Sequence, residues 1–176
     1  MEYFVIYDVE TGNVLIRGSG PEGTADQQII DEGHALMIVP RAALMTGEVD
    51  IDVVRNALTA RIDAEAELFR QQFITPGAGQ AMTYQRKEAE ARAWIAAGAP
   101  NPVDYPFLAA EAAATGESIN QVAANVVSAA NLWAQIGSAI EAVRLGAKKQ
   151  LAMAAGFPAL AAASAVDWSV AMSGGQ

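Results

Sequence analysis

The stretch from Phe73 to Trp94 most constrains the fold, because it predicts two helices joined by a sharp break. Before it, apolar residues recur every three or four positions, the spacing of one helix face. They are Ile51, Val54, Leu58, Ile62, Ala66, Phe69 and Phe73. A proline and two glycines in the turn Thr75–Gln80 oppose a continuous helix, and helix-forming residues resume as far as Ala97. The sequence therefore predicts a helical hairpin.

A longer helical pattern follows a Pro/Asn-rich linker over Gly98–Pro106 and a short predicted helix over Phe107–Thr115. Ser118 and Gln121 form a capping-box pattern at the beginning of this helix. Its apolar positions keep a 3-4 alternation typical of a heptad repeat. They are Ile119, Val122, Val126, Ala129, Trp133, Ile136, Ile140, Val143 and Ala147. This heptad stripe packs either within the chain, as an antiparallel bundle, or between chains, as a coiled coil.

The first fifty residues have the pattern of β-strands. Tyr3–Tyr7 and Val14–Arg17 are apolar runs separated by turn-forming residues over Asp8–Asn13, which predicts a β-hairpin. Ala35–Val39 is a further predicted strand, and Gln27–Ile30 is a short candidate. The sequence thus predicts a small antiparallel sheet of three or four strands.

The predicted fold class is α+β and mainly α, with a small N-terminal antiparallel β head before a helical hairpin or bundle that contains a long heptad-patterned helix. The predicted parts are a head over residues 1–48, a helical bundle or coiled-coil body over 51–155, and an Ala/Ser-rich tail over 156–176. An indole close to a chain end suggests docking, so Trp168 is expected to dock. The predicted interaction residues are Ile119, Val122, Val126, Trp133, Ile136, Ile140, Val143 and Trp168.

Charge and composition limit the classes of partner and the kinds of site that we expect for this chain. The formal net charge is −9, and residues 1–50 hold nine acids against two arginines. Such a surface does not attract nucleic acid or an anionic membrane, so neither is an expected partner. The chain has no cysteine, which excludes disulfides and thiolate metal sites. Because Met1 and Glu2 begin an acidic stretch with no basic segment, we expect no signal peptide. The uncharged runs Ser118–Ile140 and Gln150–Val166 are too polar or too interrupted to span a bilayer.

Candidate catalytic residues are few. Asp8 and Glu10 follow an apolar strand, as in the first motif of exonucleases that hold two metal ions with carboxylates. The further carboxylates that this chemistry needs are missing from the pattern, and a hairpin turn explains the two acids more simply. His34, the only histidine, is interpreted as a surface or strand-start residue. We expect no enzyme activity, no cofactor and no catalytic, cofactor-binding or metal residues.

Five blocks of the sequence carry a family resemblance: Tyr7–Leu15, Arg61–Glu67, Phe73–Arg92, Asp104–Glu111 and Ala139–Ala147. Together they resemble small tail-associated proteins of phages and prophages of alphaproteobacteria. The resemblance covers about residues 3–150, and its most specific part is Phe73–Arg92. It implies a non-catalytic protein of the virion tail that supports or adapts tail fibres.

The implied partners are other phage tail or tail-fibre proteins and further copies of this chain, in the virion tail and, during assembly, in the host cytoplasm. One alternative is a fibre-assembly chaperone that is absent from finished virions. A metal-dependent nuclease using Asp8 and Glu10 is a remote alternative, and a bacterial scaffold protein unrelated to phages is a weak one.

Overall fold

A computed structural model describes residues 1–75, 77–98 and 100–173 and confirms the predicted fold class. The strands are β1 (Glu2–Asp8), β2 (Val14–Gly20) and β3 (His34–Ile38). The α-helices are α1 (Ile51–Arg70), α2 (Ala78–Ala97), α3 (Pro106–Thr115), α4 (Ile119–Met153), α5 (Phe157–Ser164) and α6 (Val170–Ser173). Short 3₁₀ helices cover Ala25–Gln27, Arg41–Leu44 and Pro102–Asp104.

The sheet is antiparallel with the strand order β2-β1-β3, so β1 is the central strand. Because side chains alternate across a strand, Val5 and Tyr7 face the larger hydrophobic cluster of the protein, whereas Phe4 and Ile6 pack on the opposite face of the sheet. The candidate strand at Gln27–Ile30 is wrong. Its first residue ends a 3₁₀ helix and the others are outside regular structure, so the described sheet has three strands.

Strand β2 extends three residues beyond its predicted end at Arg17. These three added residues include Gly18 and Gly20, and glycine ordinarily weakens the interior of a strand. The Phe4 ring lies directly against Gly18, where any Cβ would overlap it, and Thr24 fills the equivalent space beside Gly20. Glycine is therefore required in this strand by packing, since a close neighbour replaces the missing side chain.

By compactness the chain forms two units, and the first contains Met1–Glu67 and Glu141–Val170. The head, body and tail were predicted as consecutive segments of the sequence, and that division stays a prediction. The core of this unit joins the inner face of the sheet to α1, the end of α4 and α5. Its buried residues are Val5, Tyr7, Met37, Val39, Ala43, Val54, Leu58, Ile62, Ala147, Leu151, Ala154, Phe157, Leu160 and Ala163.

Two arginines of α1 satisfy carbonyl groups at helix ends in this first unit. Arg55 donates from Nε to the Leu151 carbonyl and from Nη2 to the Ala154 carbonyl, both at 3.0 Å. Arg61 donates from Nη2 to the Ser164 carbonyl at 2.9 Å. The last carbonyls of a helix lack partners within the helix, and a cation there also interacts favourably with the helix dipole. These bonds join α1 to the ends of α4 and α5.

The second unit contains the described residues of Leu68–Ile140 and Ala171–Gln176. Its core is built from α2, α3 and the beginning of α4, with the buried residues Ala91, Trp94, Leu108, Ala112, Val122 and Ala123. The Trp94 indole Nε1 donates to Asn120 Oδ1 at 2.7 Å, and its ring meets the Tyr105 ring edge-on, with centroids 5.2 Å apart. A buried indole N–H normally needs such a partner.

The helical predictions differ from the structure mainly at the helix ends. Ser118 Oγ accepts a hydrogen bond from the Gln121 amide at 3.2 Å, which forms one half of the predicted capping box, whereas Gln121 Nε2 donates to Asn125 Oδ1 at 3.0 Å. Helix α4 runs on to Met153, beyond the last stripe residue, Ala147. Helix α5 was missed because its alanines and serine resembled a tail. The sequence feature that indicates α5 is Pro158 in its first turn, a position that tolerates proline.

Among the described helices, none combines the length and apolarity that crossing a membrane requires.

Candidate functional site

The heptad stripe on α4 divides into parts with different surroundings. At its beginning Ile119, Val122 and Val126 pack in the core of the second unit. Val122 is 1% exposed and touches the cluster around Trp94 and Leu108. These three predicted interaction residues hold the helix to its own chain, so this part of the stripe forms an intrachain bundle.

The middle of the stripe is more open. Trp133 and Ile136 are half-buried, and Ala129 is exposed. A Cβ on Gly137 would lie 3.4 Å from the Trp133 ring, so the indole lies along its own helix over the glycine. Ile140 is again fully buried. The stripe is therefore not a continuous buried seam.

One predicted interaction residue, Ile136, lines a groove on the second unit with a volume of about 450 Å³. We call it the α4 groove, and its lining residues are Leu132, Gln135, Ile136, Ser138, Ala139, Ala171 and Met172. Leu132 is 58% exposed and Met172 is 46% exposed. Neither residue was predicted from the sequence, because Leu132 lies beside the stripe and Met172 is far along the chain.

The α4 groove is electrically neutral. No charged residue occurs between Ser118 and Ile140, although the chain as a whole has a net charge of −9. Exposed helix faces of monomeric proteins ordinarily carry charged side chains. Because like charges repel, an uncharged surface with exposed Leu132 and Met172 is where a second chain of net charge −9 would meet least repulsion. The arrangement suits contact with another protein surface.

The remaining predicted interaction residues, Val143 and Trp168, lie in the first unit. Val143 is half-buried. Trp168 packs against the core of this unit, and its indole Nε1 donates to Glu65 Oε2 at 3.3 Å. The indole thus docks on α1 of its own chain. This contact accounts for an aromatic residue near the chain end.

Asp63, in the same polar segment of α1 as Glu65, forms the main ion-pair cluster of the first unit. Lys148 Nζ donates to its two carboxylate oxygens at 2.9 and 2.8 Å, and Arg144 also pairs with it. The hydrogen bond from Lys148, followed by that from Arg144, lowers the pKa of the Asp63 carboxyl from its ordinary value of 3.8. Arg61, Asp63 and Glu65 thus connect α1 to α5, α4 and Trp168 respectively.

Glu90 is a buried acid on α2, although glutamate side chains are ordinarily exposed. It is only 6% exposed. Its Oε2 accepts hydrogen bonds from the amides of Phe107 and Leu108, at 2.9 and 3.3 Å, where α3 begins. Its Oε1 lies 3.8 Å from Arg86 Nε. The carboxylate caps a helix from outside that helix, which a sequence pattern cannot reveal because the partners are distant in the chain.

The acids of the nuclease alternative lie at the turn of the β1–β2 hairpin. Asp8 Oδ1 accepts hydrogen bonds from the Glu10 amide at 3.1 Å, the Thr11 amide at 2.7 Å and the Thr11 hydroxyl at 2.8 Å. The Thr11 bonds lower the pKa of the Asp8 carboxyl. Asp8 therefore has a structural role in the turn, and Glu10 is exposed. His34 begins β3 opposite Asp8.

No group of three or more His, Cys, Asp or Glu suited to a metal ion occurs within residues 1–75, 77–98 and 100–173. The predicted turn Thr75–Gln80 is described only in part, since Pro76 lies outside the described residues. Next to it, the Tyr84 hydroxyl and Thr75 Oγ1 are 3.2 Å apart in a hydrogen bond.

Comparisons with protein-family models, curated proteins and solved structures found no match for this chain.

Proposed function

We propose that this protein is a non-catalytic assembly component of a bacteriophage tail, which supports or adapts tail fibres. In this proposal the α4 groove binds another protein chain, with a second copy of the same chain as its first partner. The observation that carries the assembly role is the neutral, half-exposed groove around Leu132 on an otherwise acidic chain. The tail setting is supported by the sequence resemblance.

The direct test of the groove places a charge in it without touching the core. Leu132→Glu puts a carboxylate where an apolar contact is proposed, and at 58% exposure the side chain has room for it. Leu145→Glu is the matched control, since Leu145 is 51% exposed on the same helix and does not line the groove. Burying an unpaired charge in an interface is costly.

Sedimentation velocity over a concentration series measures the result. We expect the wild type and Leu145→Glu to self-associate, and Leu132→Glu to raise the dissociation constant at least tenfold. Ile136→Asp, deeper in the groove, should disrupt the oligomer or the packing of the helix. Equal association of all variants, with Ile136→Asp folded and its mass unchanged, contradicts a role of the groove in assembly.

The biological setting needs a separate measurement. Quantitative mass spectrometry of purified, gradient-banded virions should find this protein at a fixed ratio to known tail proteins. Its absence from virions but abundance in the lysate instead supports the fibre-assembly chaperone. Metal-dependent nuclease activity that disappears in Asp8→Ala would overturn the non-catalytic proposal.

A further inference from the structure

A second surface feature lies in the first unit and is independent of the α4 groove. The only arginines among the first fifty residues, Arg17 and Arg41, line the same surface depression of about 200 Å³, and these fifty residues contain no lysine. Tyr3 of β1, residues 17–19 of β2, and Arg41, Leu44 and Met45 line it, and no acid does. Since nine acids occur in the same fifty residues, the depression is a positive site on a negative head.

The two guanidinium groups are available for a ligand. Arg17 and Arg41 are exposed, and neither forms an ion pair with an acid of the described part of the chain. Arg17 Nη1 donates to the Thr46 carbonyl at 3.4 Å, which places its guanidinium near the segment that carries Met45. Like charges brought together without a counter-charge favour binding of an anion. Arginine recognises carboxylates with two parallel hydrogen bonds.

The position of the depression indicates the form of the ligand. Its β2 side is formed by three consecutive residues, of which Gly18 contributes backbone alone. Strand β2 pairs with β1 on one side only and is an edge of the described sheet. An edge strand offers backbone N–H and C=O groups to an added strand. Leu44 and Met45 supply apolar surface next to the two arginines.

We infer that this depression binds an acidic peptide segment of a partner protein, which lies extended along β2 with one carboxylate between Arg17 and Arg41. Backbone hydrogen bonds to β2 contribute affinity, and the arginine pair selects the acidic side chain. A single arginine on an edge strand, such as Arg17, is enough to deter edge-to-edge aggregation. That role does not account for Arg41, which comes from a different element and lines the same depression. A carboxylate site accounts for both arginines.

The inference can be tested with the full-length protein and a fluorescein-labelled peptide of sequence Thr-Val-Glu-Val-Glu-Val. Fluorescence anisotropy at low ionic strength compares it with a Gln-for-Glu peptide and with an acidic peptide whose alternate amides are N-methylated. The variants are Arg17→Ala, Arg41→Ala and the control Lys149→Ala, which removes an exposed cation from a different element. Far-UV circular dichroism checks that each variant is folded.

We expect the acidic peptide to bind the wild type and Lys149→Ala equally, and each arginine variant at least tenfold more weakly. The Gln peptide and the N-methylated peptide should both lose at least tenfold in affinity. Leu132→Glu should bind the peptide normally, which separates this site from the α4 groove. Equal binding of the acidic and Gln peptides, or binding of inorganic phosphate with none of the peptide, overturns the inference.

Discussion

Replacing Glu90 tests whether a buried carboxylate on α2 holds the beginning of α3. In Glu90→Ala the amides of Phe107 and Leu108 lose their acceptor, and both lie in the first turn of α3. The first amides of a helix have no partner inside the helix. Glu90 is only 6% exposed, so water does not readily take its place.

The expected cost follows from the two hydrogen bonds. The bond to Phe107 has an N–O distance of 2.9 Å, so we expect it to contribute fully to the free energy of unfolding. The bond to Leu108, at 3.3 Å, is longer than the preferred range and contributes less. A hydrogen bond to a charged acceptor contributes about 1.5–3 kcal/mol. The interaction of the carboxylate with the helix dipole adds about 0.3–1 kcal/mol, and relief of the buried charge offsets part of this. We expect Glu90→Ala to lower the free energy of unfolding by about 2–3 kcal/mol.

Glu90→Gln is the matched control, because it keeps an oxygen acceptor of the same shape and removes only the charge. We expect it to lower the free energy of unfolding by about 1 kcal/mol. Urea unfolding followed by circular dichroism measures both variants. Amide hydrogen exchange of Phe107 and Leu108 provides the local measurement, and both amides should exchange at least tenfold faster in Glu90→Ala.

Two outcomes would refute this reasoning. If Glu90→Ala loses less than about 0.5 kcal/mol, an amount typical of ordinary surface substitutions, the carboxylate does not hold α3. If Glu90→Gln loses as much as Glu90→Ala, the charge rather than the capping bonds is responsible. Unchanged exchange at Phe107 and Leu108 would show that these amides have another acceptor.

Asp63 and Gly18 support two further predictions, each with its own measurement. The hydrogen bond from Lys148 is the main cause of the lowered pKa of the Asp63 carboxyl. The ionised Asp63 should therefore stabilise the folded protein fully above its ordinary pKa of 3.8. This stabilisation should be lost as the pH falls through the lowered pKa. The difference in unfolding free energy between wild type and Asp63→Asn in urea should therefore shrink in acid, and a difference that grows there would contradict it. Gly18→Ala should cost about 1–3 kcal/mol, because its Cβ would overlap the Phe4 ring. Gly47→Ala, with open space around it, should melt near the wild-type temperature; equal melting of both variants would show that Phe4 moves aside.

Much of the fold follows from local patterns. The period of about 3.6 residues along α1 and the capping pattern at Ser118 predicted helices that the structure contains. Apolar runs separated by turn residues likewise predicted the β1–β2 hairpin around Asp8. Such signals can be read from sequence because backbone preference and side-chain spacing act between residues that are close along the chain.

The candidate sites could not be predicted from the sequence, because they are formed by residues that are far apart along the chain. The heptad stripe predicted an apolar helix face, but only tertiary packing placed Val122 in a core and left Leu132 exposed on the α4 groove. Sequence alone determined that this acidic chain builds helices after a small sheet. The tertiary structure decided that Glu90 caps α3 and that Arg17 and Arg41 share one depression. The physical reason is that burial, capping and charge pairing depend on distances in space, which a one-dimensional pattern does not contain.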